Sequence, residues 1–221
     1  MLLQQPHDLN KLVAALPQDR RVQQAAFDVQ FEYAYVAEED TNYAYPEDLS
    51  VLAALVKAGA KPEFRHLLAA AQQGKMKTVR YLLGCGVLVQ SEADEESPLS
   101  GVAYWGDAAL LKQMIAAGAD VNFARPADGW TPLLAGAWSG QEECVKVLLD
   151  NGADVNVLYT VWVGNRQPIW KVVEERASKA PPGDSLVQVW QLVAAHKTNC
   201  EKDAAQPANG KPQPEPEGGS R

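Results

Sequence analysis

The sequence predicts an all-α solenoid of about five helix–turn–helix units, with divergent units capping both ends. Three observations lead there. Glycines recur in pairs twelve residues apart: Gly74 with Gly86, Gly106 with Gly118, and Gly140 with Gly152. The pairs return at about thirty-three residues, a period that belongs to stacked helical repeats. Within each pair, apolar residues take matching places: Val79, Leu82 and Leu83; Leu111, Met114 and Ile115; Val145, Leu148 and Leu149. That spacing sets them on one face of a helix. Before each pair lies a run of small residues, Ala69-Ala70-Ala71, Gly101-Val102-Ala103 and Ala135-Gly136-Ala137. Side chains this small let neighbouring helices approach closely.

Each element follows in order. Residues 1–19 form an N-terminal helical extension, where Leu9, Leu12, Val13 and Leu16 make a short stripe that stops near Pro17. The repeat domain spans 20–196. It opens with a helix over 20–37 carrying Val22, Phe27, Phe31 and Tyr35, followed by an acidic, tyrosine-bearing loop from Glu38 to Pro46. Asp48 or Ser50 caps the next helix, which shows Leu52, Leu55 and Val56 on one side and closes at Gly59. Ala58-Gly59-Ala60-Lys61-Pro62 occupies the place of Ala117-Gly118-Ala119-Asp120-Val121, so this segment reads as a divergent first repeat.

Three clear units then run over 64–90, 97–122 and 130–156. Their glycines end helices in the left-handed conformation that other residues resist. The segment Leu158-Tyr159-Thr160-Val161-Trp162 alternates before Gly164-Asn165, the pattern of a small hairpin. The last unit is worn. Pro168-Ile169-Trp170 replaces Pro132-Leu133-Leu134, and an insertion from Ser178 to Gly183 separates its helices. A solenoid end needs a more polar outer face, so this unit reads as the C-terminal cap. Residues 197–221 turn to Asp, Glu, Pro, Gly, Gln and Lys, with too little apolar surface to offset the entropy of ordering. The expectation there is a disordered tail; its Pro-x-Pro-x-Pro run reads as solvated chain ahead of a polyproline ligand.

Composition narrows function by exclusion. The chain has 221 residues, 47% of them hydrophobic, and a net charge of −8. Acids are spread as Glu38-Glu39-Asp40, Glu92 to Glu96, and Glu174-Glu175, which argues against nucleic acid as a partner. A soluble surface accounts for this balance, with a basic protein partner as the second reading. The three cysteines, Cys85, Cys144 and Cys200, lack paired spacing, so no disulfide framework is expected. Cys144 falls at an apolar helix position and reads as a small buried hydrophobe. A reducing compartment, the cytoplasm, fits free thiols best and leaves the periplasm open. The start, Met1 to Asp8, has neither a basic opening nor a long apolar run, so no secretory signal is expected. No stretch approaches the roughly 20 apolar residues of a membrane helix.

Nor do the residues gather into catalytic or ligating groups. His7, His66 and His196 fall in different units, without a second His or Cys at metal spacing, so no metal or cofactor is expected. No serine sits in an elbow motif, and no cysteine has an evident His partner. Glu95-Glu96 and Glu142-Glu143 read as solvated or helix-start charges. An enzyme is therefore not expected.

The third unit is the fullest: Gly129, Thr131-Pro132-Leu133, Ala135, Ala137, Gly140, Val145, Leu148-Leu149 and Gly152-Ala153-Asp154-Val155-Asn156. The second carries Ser97-Pro98-Leu99, Ala103, Gly106 and Gly118-Ala119-Asp120-Val121-Asn122. This pattern resembles the ankyrin-repeat family, strongly over 64–156 and, with the worn ends, over 20–196. Departures are visible. The histidine of the family motif is Ser100 in the second unit and Leu134 in the third, and the first lacks both Thr-Pro and the closing Asp and Asn. Looser turns are expected at those places.

The resemblance implies that the residue before Thr-Pro, the two residues before the first helix's closing glycine, and the finger after Gly-Ala-Asp-Val-Asn line a concave face that contacts partners. Mapped here, the partner-binding residues are Phe64, Tyr104, Trp105, Phe123, Arg125, Trp130, Trp138, Ser139, Tyr159, Trp162 and Arg166. Tryptophan, tyrosine and arginine are the types enriched in binding hot spots. For Tyr104, Trp105, Trp130 and Trp138, partner contact and packing between repeats both remain open; Trp170 and Trp190 read as packing. The implied function is a non-catalytic module that binds another protein, in the most concrete form an inhibitor or immunity-type protein that neutralises an enzyme or toxin. An adaptor joining two proteins is the alternative. An enzyme or small-molecule receptor with a pocket between repeats is the competing class.

Overall fold

A computed structural model describes residues 19–32, 49–90, 96–162 and 165–205. The expected helix at 8–17, Tyr35, the loop 38–46, the cap at Asp48, the acids 92–95 and Gly164 lie outside them. The described residues hold five helix pairs: α1 (Arg20–Glu32) with α2 (Leu49–Ala58), α3 (Phe64–Gln72) with α4 (Met76–Gly84), α5 (Pro98–Trp105) with α6 (Ala108–Ala116), α7 (Pro132–Trp138) with α8 (Glu142–Asp150), and α9 (Ile169–Ala177) with α10 (Ser185–Ala205). The first helices pack in a row, α1 on α3, α3 on α5, α5 on α7 and α7 on α9. Behind them α6, α8 and α10 pack in sequence, as do α2 and α4. This is the all-α repeat solenoid that the glycine period predicts.

The core runs along the seam between the rows. Val79, Leu82, Leu111, Met114, Val145, Leu148 and Leu149 are buried, while Leu83 and Ile115 are half-buried at its edge. On the facing helices Ala70, Ala71, Val102, Ala103, Ala135 and Ala137 are buried too. A Cβ at Gly101 would stand 2.7 Å from the Ala71 carbonyl carbon and oxygen, so α3 and α5 meet nearly backbone to backbone there. In α1, Phe27 and Phe31 are buried as expected, but Val22 is exposed. Gln23 and half-buried Ala26 take the inward side instead.

The turns are better closed than the motif departures predict. Ser97 Oγ accepts from Leu99 N at 3.2 Å, and Thr131 Oγ1 accepts from Leu134 N at 3.1 Å. Both cap their helices without a histidine. In the loop row, Asn122 Nδ2 donates to the Gly152 carbonyl at 3.0 Å and Asn122 Oδ1 accepts from Asp154 N at 2.8 Å. The first unit has no such asparagine, yet Gln90 Nε2 donates to the Gly118 carbonyl and so makes the first of these two bonds.

In the first unit His66 is 2% exposed. Its Nδ1 accepts the Glu63 N–H at 2.9 Å, so Nε2 carries the proton and donates to Asp28 Oδ1, also at 2.9 Å. Phe27 and Phe31 pack against the ring, with centroids 4.8 and 4.9 Å away. Burial works against the Asp28 charge, but hydrogen bonds from Gln24 and His66 and the charge of Arg65 hold the carboxyl below its ordinary 3.8. A depressed carboxylate stabilises the fold above its unfolded value and loses that contribution as pH falls through the folded one. The urea midpoint of Asp28→Asn should therefore lie below wild type at pH 7 and converge on it below about pH 3.

The predicted hairpin is present. β1 (Leu158–Trp162) pairs antiparallel with β2 (Asn165–Pro168), Leu158 opposite Pro168 and Thr160 opposite Arg166, with a register shift between Thr160 and Trp162. At the far end α10 continues through Ala205, so the change of composition at Lys197 does not end the helix. Lys197 instead places its ammonium 3.5 Å from the Trp170 ring centroid. Residues 206–221, the rest of the expected tail, lie outside the description.

Burial and the negative charges of Asp107 and Glu143 push the Cys144 thiol up to about 11. Cys85 and Cys200 are exposed. A thiol reagent at pH 8 should modify Cys85 and Cys200 in the native chain and reach Cys144 only after denaturation. Mass spectrometry of tryptic peptides reads this directly.

Candidate partner-binding face

The face begins at the turn before α7. Asp128 accepts from Trp130 N at 3.0 Å and from Arg125 twice, Nε at 2.9 Å and Nη2 at 2.7 Å. The Arg125 N–H donates to the Trp130 carbonyl at 2.9 Å, and Gly129 N donates to the Arg125 carbonyl at 2.7 Å. Arg125 Nη1 reaches on to Glu96 Oε1 at 3.0 Å, and Gln72 Nε2 donates to the other Glu96 oxygen. This chain of partners ties three successive units together along their turns. The Arg125 fork holds the Asp128 carboxyl below the usual carboxylate range.

The hairpin is seated on the same turn. Thr160 N donates to the Asp128 carbonyl at 2.7 Å. Gly129 has φ +83°, and a Cβ there would overlap the Leu158 carbonyl oxygen. Glycine is therefore required twice over, by conformation and by space.

On this frame stands a group of rings. Trp130 lies 5.7 Å from Trp138 and 5.7 Å from Tyr159, both edge-on, with the Arg125 guanidinium 5.8 Å from its centroid. Trp138 is covered on another side by Arg176, whose guanidinium carbon stands 3.7 Å from its centroid and whose Nη2 donates to the Trp138 carbonyl at 3.2 Å. All three rings are half-buried and lean on the core. One unit earlier, Tyr104 and Trp105 meet edge-on at 5.6 Å and are 41% and 51% exposed. The Trp105 ring lies over Gly74, and its Nε1–H donates to the Gln72 carbonyl at 3.0 Å. Burial, reinforced by the Asp128 charge, raises the Tyr159 hydroxyl above its ordinary value and keeps it neutral.

The structure thus brings Tyr104, Trp105, Phe123, Arg125, Trp130, Trp138 and Tyr159 onto one neighbourhood of turns and helix ends. Phe64 also borders it, but differently from its counterparts: Glu96 and Trp130 precede their helices, whereas Phe64 is already the first residue of α3. Ser139 spends its hydroxyl on the Ala135 carbonyl at 3.0 Å, which closes its own helix. Arg166 is exposed on β2. Trp162 contributes backbone to β1, and its side chain lies outside the description.

Sequence reasoning missed Glu96 as the link between Gln72 and Arg125, and Arg176 as the cover on Trp138. The signal for Arg176 was available, because aligning Pro168 with Pro132 places it where the third unit has Gly140.

Among the described residues no three or more His, Cys, Asp or Glu side chains form a group able to hold a metal ion. No described helix is long and apolar enough to cross a membrane. Two adjoining cavities open on the face, of about 130 and 170 Å³, and share Glu96, Ser97 and Phe123. Drug-sized ligands usually occupy about 300–1,000 Å³. No curated protein matches the chain. Residues 67–158 match the family model described as ankyrin repeats (3 copies).

Proposed function

We propose that the partner protein lies on the aromatic face running from Tyr104 to Tyr159, because residues 67–158 match ankyrin repeats and such repeats are protein–protein interaction modules. The observation that carries this reading is the juxtaposition of the exposed Tyr104–Trp105 pair with the Trp130–Trp138–Tyr159 cluster. Aromatic rings held ready in place lose little freedom on binding and give large contact area. A contiguous apolar patch of this kind marks interaction sites. The small cavities speak against a small-molecule receptor.

The role that fits a rigid, preformed surface best is that of an inhibitor or immunity-type protein, which neutralises an enzyme or toxin by covering it. The chain itself is non-catalytic in this reading. The test is capture of partners on the immobilised chain, repeated with Tyr104→Ala, Trp130→Ala and Trp138→Ala. Circular dichroism controls for the fold. Loss of a hot-spot ring costs about 2 kcal/mol or more, roughly thirtyfold in affinity. Retention by all three folded variants would sink the proposal. The activity of the captured partner, with and without added chain, decides the inhibitor role.

A further inference from the structure

We infer that the groove between the Tyr104–Trp105 pair and Trp130 receives a basic side chain, an arginine or lysine on an extended segment of the partner. This rests on the proposal that the partner lies on this face. The larger cavity is lined by Tyr104, Trp105 and Trp130, together with Phe123, Ser97 and Ser100. Three rings around a space of about 170 Å³ suit one long side chain, and ring faces attract cations.

The charge of the groove selects the sign. Glu96 stands in both cavities, and Asp120 lines the smaller one. The cation that lines the larger one, Arg125, is already committed. Its Nε and Nη2 face Asp128, and its Nη1 faces Glu96. Two carboxylates thus share one guanidinium, and Asp120 adds a third negative charge. Taken together, the two cavity linings set Glu96 and Asp120 against Arg125 alone, so they are acidic overall, and the whole chain, at −8, adds to the same field. Glu96 keeps 35% of its side chain exposed, so an incoming ammonium or guanidinium can reach it. Glu92, Asp94 and Glu95 precede it in sequence; they lie outside the described residues, and the site is defined without them.

The experiment is panning of a displayed dodecapeptide library against the immobilised full chain, followed by anisotropy titration of the recovered peptides, synthesised with a fluorescein label. Arginine or lysine should be enriched among them. Replacing the enriched basic residue by glutamine should weaken binding at least tenfold, and raising the salt should weaken it further. Glu96→Gln should weaken it several-fold without unfolding the chain, since Asp128 still grips Arg125 through two bonds. Peptides without basic residues, binding indifferent to Glu96→Gln and to salt, or a panning that returns nothing would each overturn the inference. If neutral peptides bind and still require Trp130, the basic side chain is wrong and the face stands. If peptides bind equally well to the folded Tyr104→Ala, Trp130→Ala and Trp138→Ala variants, the face itself is wrong.

Discussion

Gly129→Ala should destabilise the chain by about 2–5 kcal/mol, from left-handed strain of roughly 1–2 kcal/mol and overpacking of roughly 1–3 kcal/mol. The residue sits at φ +83°, and its missing side chain is the space into which the Leu158 carbonyl fits. Relief requires the hairpin to lift, and lifting breaks the Thr160 N–H to Asp128 bond of 2.7 Å. Asp128 anchors both Arg125 and the Trp130 backbone, so the displaced turn should carry Trp130 with it. Urea denaturation gives the stability change, and native tryptophan fluorescence reports the altered packing of Trp130. An unchanged midpoint with unchanged fluorescence would mean that β1 does not rest on this turn.

Two alanine substitutions in neighbouring helices should part in sign. At Gly101 a Cβ would stand 2.7 Å from the Ala71 backbone, and neither helix can yield without moving the row. Gly101→Ala should cost about 1–3 kcal/mol. At Gly136 the same added atom meets Val145, the Ala103 carbonyl and Cys144 at 3.5, 3.6 and 3.7 Å, which are ordinary contacts. Gly136→Ala should be neutral, or stabilising by up to about 1 kcal/mol through better helix propensity. Thermal melts of the two variants beside wild type settle the comparison. Equal losses would mean that the α3–α5 and α5–α7 spacings are alike.

Much of this architecture was legible beforehand. The glycines punctuate helices whose lengths hardly vary, so Val79, Leu111 and Val145 declared themselves as core by position alone. The ring-bearing positions followed from the same count. What the residues did not declare was who replaces a missing motif side chain. Gln90 reaches the Gly118 carbonyl with the same kind of side-chain amide that Asn122 offers to the Gly152 carbonyl. No periodicity marks that substitution. Val22 misled because, among the described residues, α1 has a neighbouring unit on one side alone, so its apolar residues need not all turn inward. The split behaviour of the tryptophans was unreadable for a similar reason. Trp105 lies over Gly74 and stays exposed, whereas Trp138 is roofed by Arg176, and both outcomes depend on residues over thirty positions away.

The cross-unit bonds have a consequence for how the chain comes apart. Trp105 and Arg176 each donate to a helix-end carbonyl of the unit before them. Gln90 and Asn122 each donate to a loop carbonyl of the unit after them. The stitching therefore runs in both directions. A unit that melts gives up hydrogen bonds to its predecessor at one edge and to its successor at the other. In a one-dimensional array this strengthens coupling between neighbours at the expense of partial states. Denaturation should be a single cooperative event across the central units, with fraying confined to the two terminal pairs.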